Sequence, residues 1–154
     1  MLFRSHSYLE IADSIRQISS SPEEDLKALW RRIVFNVLIS NVDDHLRNHA
    51  FLYSGASGWN LAPAYDINPT PTDIKPRVLS TAIDLIDPSA SLDLAMNVTN
   101  YFDIKSSQAK KIIKEVGSSV ALWRKEAAKL KIKKAEIDRM ASAFEHDDLQ
   151  KTML

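Results

Sequence analysis

The sequence predicts a mainly α-helical domain that carries one small β-hairpin. Apolar residues recur at helical spacing before residue 40 and again through the last third of the chain. Between these regions, two short apolar segments flank Ser54-Gly55-Ala56-Ser57-Gly58, a hairpin signal. A loop containing Pro69, Pro71 and Pro76 follows. The 154 residues, 45% of them hydrophobic, make one ordinary domain, residues 1–154, with matter for one core.

The elements follow in order. Leu9, Ile11, Ala12, Ile15 and Ile18 predict an amphipathic helix over roughly Ser7 to Ser19. Ser21, Pro22 and Glu24 then read as N-cap, first helical residue and capping-box partner. Glu23, Glu24 and Asp25 suit the positive end of that helix dipole. The helix should run to about Ser40, with Leu26, Leu29, Trp30, Ile33, Val34, Val37 and Leu38 inward. Beyond Ile33 it is apolar nearly all round, which marks a core helix.

Ala50 to Tyr53 and Trp59 to Ala62 form the hairpin, and the stretch from Leu79 reads as either a strand or a short irregular segment ending at Asp87-Pro88. A helix is expected over Ser91 to Tyr101, then one capped by Ser106 or Ser107 and running to about Leu130. Ile112, Ile113, Val116, Val120 and Trp123 face inward in it, and Gly117 is a tolerated cost or a kink. One last amphipathic helix uses Ile137, Met140, Ala141 and Phe144. Trp30, Trp59 and Trp123 read as core or hairpin anchors. Lys129-Leu130-Lys131-Ile132-Lys133-Lys134 is the one basic run, a solvated turn or a partner-binding patch.

Composition closes off several classes. Twenty basic and twenty acidic side chains cancel, so no global field points to nucleic acid or an anionic membrane. The absence of cysteine excludes a disulfide scaffold and thiolate zinc sites, and fits a reducing cytoplasm. The start of the chain lacks a signal peptide's apolar region, and no run of about 18 apolar residues exists to span a bilayer.

Chemistry concentrates in Asn-Val-Asp-Asp-His-Leu-Arg-Asn-His, residues 41 to 49. Asp43 and Asn48 have the Asp-x-x-x-x-Asn spacing of a kinase catalytic loop, in which the Asp takes the hydroxyl proton and the Asn holds magnesium. A second metal carboxylate must reach the site from another segment. Asp66 stands at the hairpin exit, where a kinase would place it. His45 reads as a loop organiser, Asp44 as shaping the loop or touching substrate, and Arg47 as an ion-pair or phosphate contact. His49 reads as the first residue of the hairpin, without chemistry. A metal-dependent phosphohydrolase built on Asp43, Asp44, His45 and Asp66 is a rival, but such sites repeat acid–histidine pairs on several helices. His6, His49 and His146 form no matching pair.

The wording Asn41-Val-Asp-Asp-His-Leu-Arg-Asn-His-Ala-Phe-Leu52, followed by Trp59-Asn-Leu-Ala-Pro-Ala-Tyr-Asp-Ile67, resembles the carboxy-terminal region of the HipA family of bacterial Ser/Thr kinases, toxins of toxin–antitoxin modules. The resemblance implies the C-terminal lobe of a protein-kinase-like α+β fold. It implies Asp43 as catalytic aspartate, Asn48 and Asp66 as Mg2+ ligands, and ATP as phosphoryl donor. Ile67 and Asn68 stand where ordinary kinases have Phe and Gly. It further implies a protein substrate such as an aminoacyl-tRNA synthetase, a DNA-binding antitoxin, and a role in growth arrest and persistence.

The chain has three glycines, Gly55, Gly58 and Gly117, none before the Asp43 loop. A kinase needs a glycine-bearing loop and a strand lysine over the ATP phosphates. The expectation is therefore one lobe without its partner: little activity alone, and uncovered apolar surface that favours self-association. The non-enzymatic alternative is a binding module for an antitoxin or substrate protein. The segment from Pro69 to Pro88 is the expected substrate-facing loop.

Overall fold

The computed structural model describes residues 6–153. Residues 1–5, where the sequence lacks a signal-peptide pattern, and residue 154 lie outside the described residues. Helices dominate, with two small two-stranded sheets.

Helix α1 (Tyr8–Ile18) buries Tyr8, Ile11, Ala12 and Ile15. Helix α2 (Pro22–Leu38) is the central post. Leu26, Leu29, Trp30, Ile33, Val34, Val37 and Leu38 are all at most 1% exposed, so it is buried as its sequence predicts. Each such side chain contributes about 1.5–3 kcal/mol through burial. The Trp30 indole N–H is satisfied by Ala95 O at 3.0 Å. Ser21 is the N-cap and Pro22 follows, but the expected capping box does not form. The Ser19 hydroxyl instead accepts from Ser21 N–H and donates to Asp25 at 2.7 Å. Asp25 also accepts from Leu61 N–H, which ties the start of α2 to the hairpin.

Strands β1 (His6–Ser7), β2 (Phe51–Tyr53) and β3 (Trp59–Leu61) precede β4 (Thr81–Ala82). β2 and β3 make the hairpin, with Phe51 opposite Leu61. β4 pairs in parallel with β1, which resolves the ambiguous segment as a very short strand. Trp59 is 43% exposed and packs on Tyr53, anchoring the hairpin from outside.

The last third is more broken than its periodicity predicts. Helix α3 (Leu92–Asn97) passes into a 3-10 turn over Thr99–Phe102. Helix α4 (Ser106–Val120) is capped by Lys105, whose N–H is taken by the Gln108 side chain, and not by a serine. It stops at Val120, and α5 (Trp123–Lys129) follows separately. Beyond it, α6 (Lys134–Arg139) and α7 (Ala141–Phe144) divide the one predicted helix, and α8 (Asp147–Lys151) follows where none was expected. The breaks let Trp123 stack on Phe144 at 4.4 Å and Leu149 join the core. Gly117 is a close approach and not a kink: a Cβ there would lie 2.2 Å from Thr152 Oγ1. Helices α1, α3, α4 and α8 all pack on α2.

Candidate active site

The loop begins where α2 is stopped. Ser40 N–H donates to Val37 O at 3.3 Å and Asn41 N–H to Asn36 O at 2.9 Å, a Schellman ending. Ser40 holds the left-handed position, φ 54°, that glycine usually takes. Its hydroxyl donates to Ala143 O at 2.8 Å, an interaction glycine cannot make, and this offsets the strain.

The two adjacent aspartates then go opposite ways. The Asp43 side chain is 67% exposed and pairs with Lys75 Nζ at 3.6 Å. Asp44 is buried and shapes the loop from inside. Its Oδ2 accepts from Tyr8 Oη at 2.5 Å, Asn36 Nδ2 at 2.8 Å and His49 Nε2 at 3.0 Å. Arg32 Nη1 lies 3.2 Å from His49 Nδ1 and only donates, so the His49 proton sits on Nε2, facing Asp44. Arg32 also donates to Ala62 O at 2.8 Å. One buried polar network thus joins α1, α2, the loop and both ends of the hairpin. Burial, then the Asp44 charge, pushes the Tyr8 phenol well above its ordinary pKa, so it stays a donor. Burial lowers the Arg32 pKa, and the charge of Asp44 opposes that.

Asn48 closes a 3-10 turn over Leu46–Asn48 by donating its N–H to His45 O at 2.8 Å. It is 5% exposed, and among the described residues its side-chain amide has no protein hydrogen-bond partner. The His45 ring does not organise the loop through Nδ1, which is buried without a partner; its backbone carbonyl does that work. Arg47 is exposed and makes no ion pair among the described residues, while its carbonyl is used.

Asp66 is exposed, at φ 54°, with its Oδ1 accepting from Asn68 Nδ2 at 2.9 Å. The segment around it is stitched to the first loop in reverse order. Tyr65 Oη donates to Arg47 O at 2.8 Å, Asn68 N–H to Asn41 Oδ1 at 3.4 Å, and Thr70 N–H to Ser40 O at 3.1 Å. Ser80 N–H donates to Val42 O at 2.9 Å, so both legs of the following loop are pinned beside Asp43. Arg139 holds Asp73 in that loop at 2.6 Å. A cleft of about 640 Å3 flanks the hairpin exit, lined by Arg32, Phe35, Leu61, Pro63 and Ile67 among others.

Among the described residues no group of three His, Cys, Asp or Glu side chains is arranged to hold a metal. Asn48 and Asp66 offer an unpartnered amide and a carboxylate. That donor set suits Mg2+ that draws its other oxygens from phosphates and water. Sequence reasoning missed Tyr8, Asn36, Arg32 and Lys75, which no local spacing marks, and gave His49 no role. The pairing of His49 with an aspartate five residues earlier was the available signal.

Comparison with known proteins gives the lineage. The family model described as the HipA-like C-terminal domain matches residues 2–144. A Haemophilus influenzae protein named "Putative kinase" is 40% identical over 60 residues, 39% of this chain and 18% of that protein. "Putative kinase Y4mE" of Sinorhizobium fredii is 28% identical over 74 residues, 47% of this chain and 17% of that protein. The matched segments thus span less than a fifth of either relative's length. No solved structure matches. No described helix is long and apolar enough to cross a membrane. The match over nearly the whole chain, together with this loop and hairpin, establishes that the chain belongs to the HipA-like C-terminal domain family.

Proposed function

We propose that this chain is the catalytic and magnesium-binding lobe of a HipA-like Ser/Thr protein kinase. The observation that carries the reading is the pair of hydrogen bonds, Tyr65 to Arg47 and Asn68 to Asn41, that fastens the Asp66 segment onto the loop bearing Asp43 and Asn48. Phosphoryl transfer relies on positioning more than on covalent chemistry, so a second carboxylate locked to the first loop is what it requires.

In this reading Asp43, exposed to solvent, orients the substrate hydroxyl and accepts its proton. Asn48 and Asp66 hold Mg2+, which neutralises charge on the phosphates of bound ATP. The buried network on Asp44 keeps the loop rigid beneath them. The pinned loop between Thr70 and Ser80 faces the substrate, with Lys75 beside Asp43. The substrate is a protein, of which an aminoacyl-tRNA synthetase is the family's expectation, and the restraining partner is a DNA-binding antitoxin.

The test uses Mn2+ with ATP as a paramagnetic stand-in for Mg2+. NMR signals of Asp43, Asn48 and Asp66 should broaden first, and Asp66→Ala should remove the effect. Broadening centred elsewhere sinks the assignment. In an ATP assay the 154 residues alone should show little or no phosphorylation. A Gly-rich amino-terminal lobe supplied in trans should raise it, and Asp43→Ala should abolish it.

A further inference from the structure

A basic turn and an acidic turn on this molecule have complementary chemistry that the kinase reading does not use. Between α5 and α6 lies a groove of about 520 Å3. Its walls are Trp123, Leu130, Ile132, Ile137, Met140 and Phe144, with Glu136 the one charged group. Leu130 is 76% exposed and Ile132 41%. Residues 124–134 hold six basic side chains and one acidic one, in a chain whose charges balance. Arg124, Lys129 and Lys134 are paired within the fold. Lys125, Lys131 and Lys133 are exposed and make no ion pair among the described residues.

The opposite chemistry stands at Asp84-Leu85-Ile86-Asp87. Leu85 is 70% and Ile86 90% exposed, the latter the most exposed large apolar side chain described. The tip has a defined shape. Asp84 Oδ1 accepts from Ile86 N–H at 2.8 Å and Asp87 N–H at 2.7 Å, and Asp87 Oδ1 accepts from Ser89 N–H at 2.8 Å. Its own carboxylates therefore hold the turn that presents Leu85 and Ile86, and little ordering entropy remains to be lost on docking. Other acidic stretches do not offer this. The leucine beside Glu23-Glu24-Asp25, Leu26, is 1% exposed, and the one beside Asp147-Asp148, Leu149, is 8% exposed.

We propose that the Asp84–Asp87 tip of one copy seats in the Leu130–Ile132 groove of a second copy. Leu85 and Ile86 fill the apolar floor, and Asp84 and Asp87 lie against Lys131 and Lys133, the unpaired lysines on either side of Ile132. The contact is head-to-tail: two reciprocal contacts close a dimer, and unreciprocated ones build a chain. A four-residue tip buries much less than the roughly 1,200 Å2 of a stable interface, so association is weak, concentration-dependent and salt-sensitive. The proposal is independent of the kinase reading.

Sedimentation equilibrium tests it. The average mass of the 17.4 kDa chain should rise with concentration at low salt and fall back when salt is added. Leu85→Ser with Ile86→Ser should leave a monomer, and so should Leu130→Ser with Ile132→Ser. Mixing these two variants should restore association that stops at a heterodimer, because each keeps one live surface. Lys131→Glu with Lys133→Glu, which flank Ile132 at the groove, is a second groove variant, should the serine pair fail to fold, and should also be monomeric. A wild-type monomer up to about 1 mM, association that survives either set of substitutions, or a mixture that stays monomeric overturns the proposal.

Discussion

His49 Nε2 lies 3.0 Å from Asp44 Oδ2, with both side chains at most 5% exposed. Asp43, one residue earlier, carries a carboxylate that is 67% exposed. Adjacent residues of one type thus take opposite places: one builds the loop from inside, and its neighbour faces solvent beside Lys75.

Stability should separate them. Asp44→Ala leaves the donors of Tyr8, Asn36 and His49 without their acceptor, and should cost about 3–5 kcal/mol. Asp43→Ala at an exposed site should stay within about 0.5 kcal/mol of wild type. Urea unfolding of both variants measures the difference. Equal midpoints would mean that Asp44 does not hold the loop.

Tyr8→Phe removes one hydroxyl from the same network and keeps the ring against His49. The loss should be about 1–3 kcal/mol, since Asp44 and Asn36 each lose a partner in a buried setting. Combined with Asp44→Ala, it should add much less than this, because the two share one hydrogen bond. Full additivity in a double-mutant cycle would refute the coupling.

Gly117→Ala raises helix propensity by about 1 kcal/mol but sets a methyl group 2.4 Å from Thr152 Cβ. Overpacking should win, with a net loss of about 1–3 kcal/mol. Thr152→Gly, which empties that space, should recover part of the loss in the Gly117→Ala background. A Gly117→Ala protein that melts higher than wild type would show that α8 moves away at no cost.

His146 supplies a pH dependence. Burial, reinforced by Arg77, lowers its pKa below the ordinary 6.5. Between the lowered value and 6.5 the unfolded chain binds more protons, so stability rises with pH across that window. It is full above about 6.5 and falls as pH drops through the window. His146→Gln should flatten that part of a melting-temperature profile. Identical slopes in the two proteins would assign the dependence elsewhere.

The sequence by itself determined α2, the hairpin and the placing of Asp43, Asn48 and Asp66 on the loop and hairpin exit. Those features are local: an apolar period, a proline at a helix start, glycines in a turn, and a motif written in one stretch. The broken helices of the last third were not legible, because α5 to α8 end where packing of Trp123, Phe144 and Leu149 requires it, and propensity alone does not. Nor could the sequence decide which aspartate of Asp43-Asp44 faces inward. That choice is made by Tyr8, Asn36 and His49, donors spread over 42 positions of chain, which meet only once the core has formed. A buried carboxylate is stable only where several donors converge on it, and convergence is a property of tertiary structure.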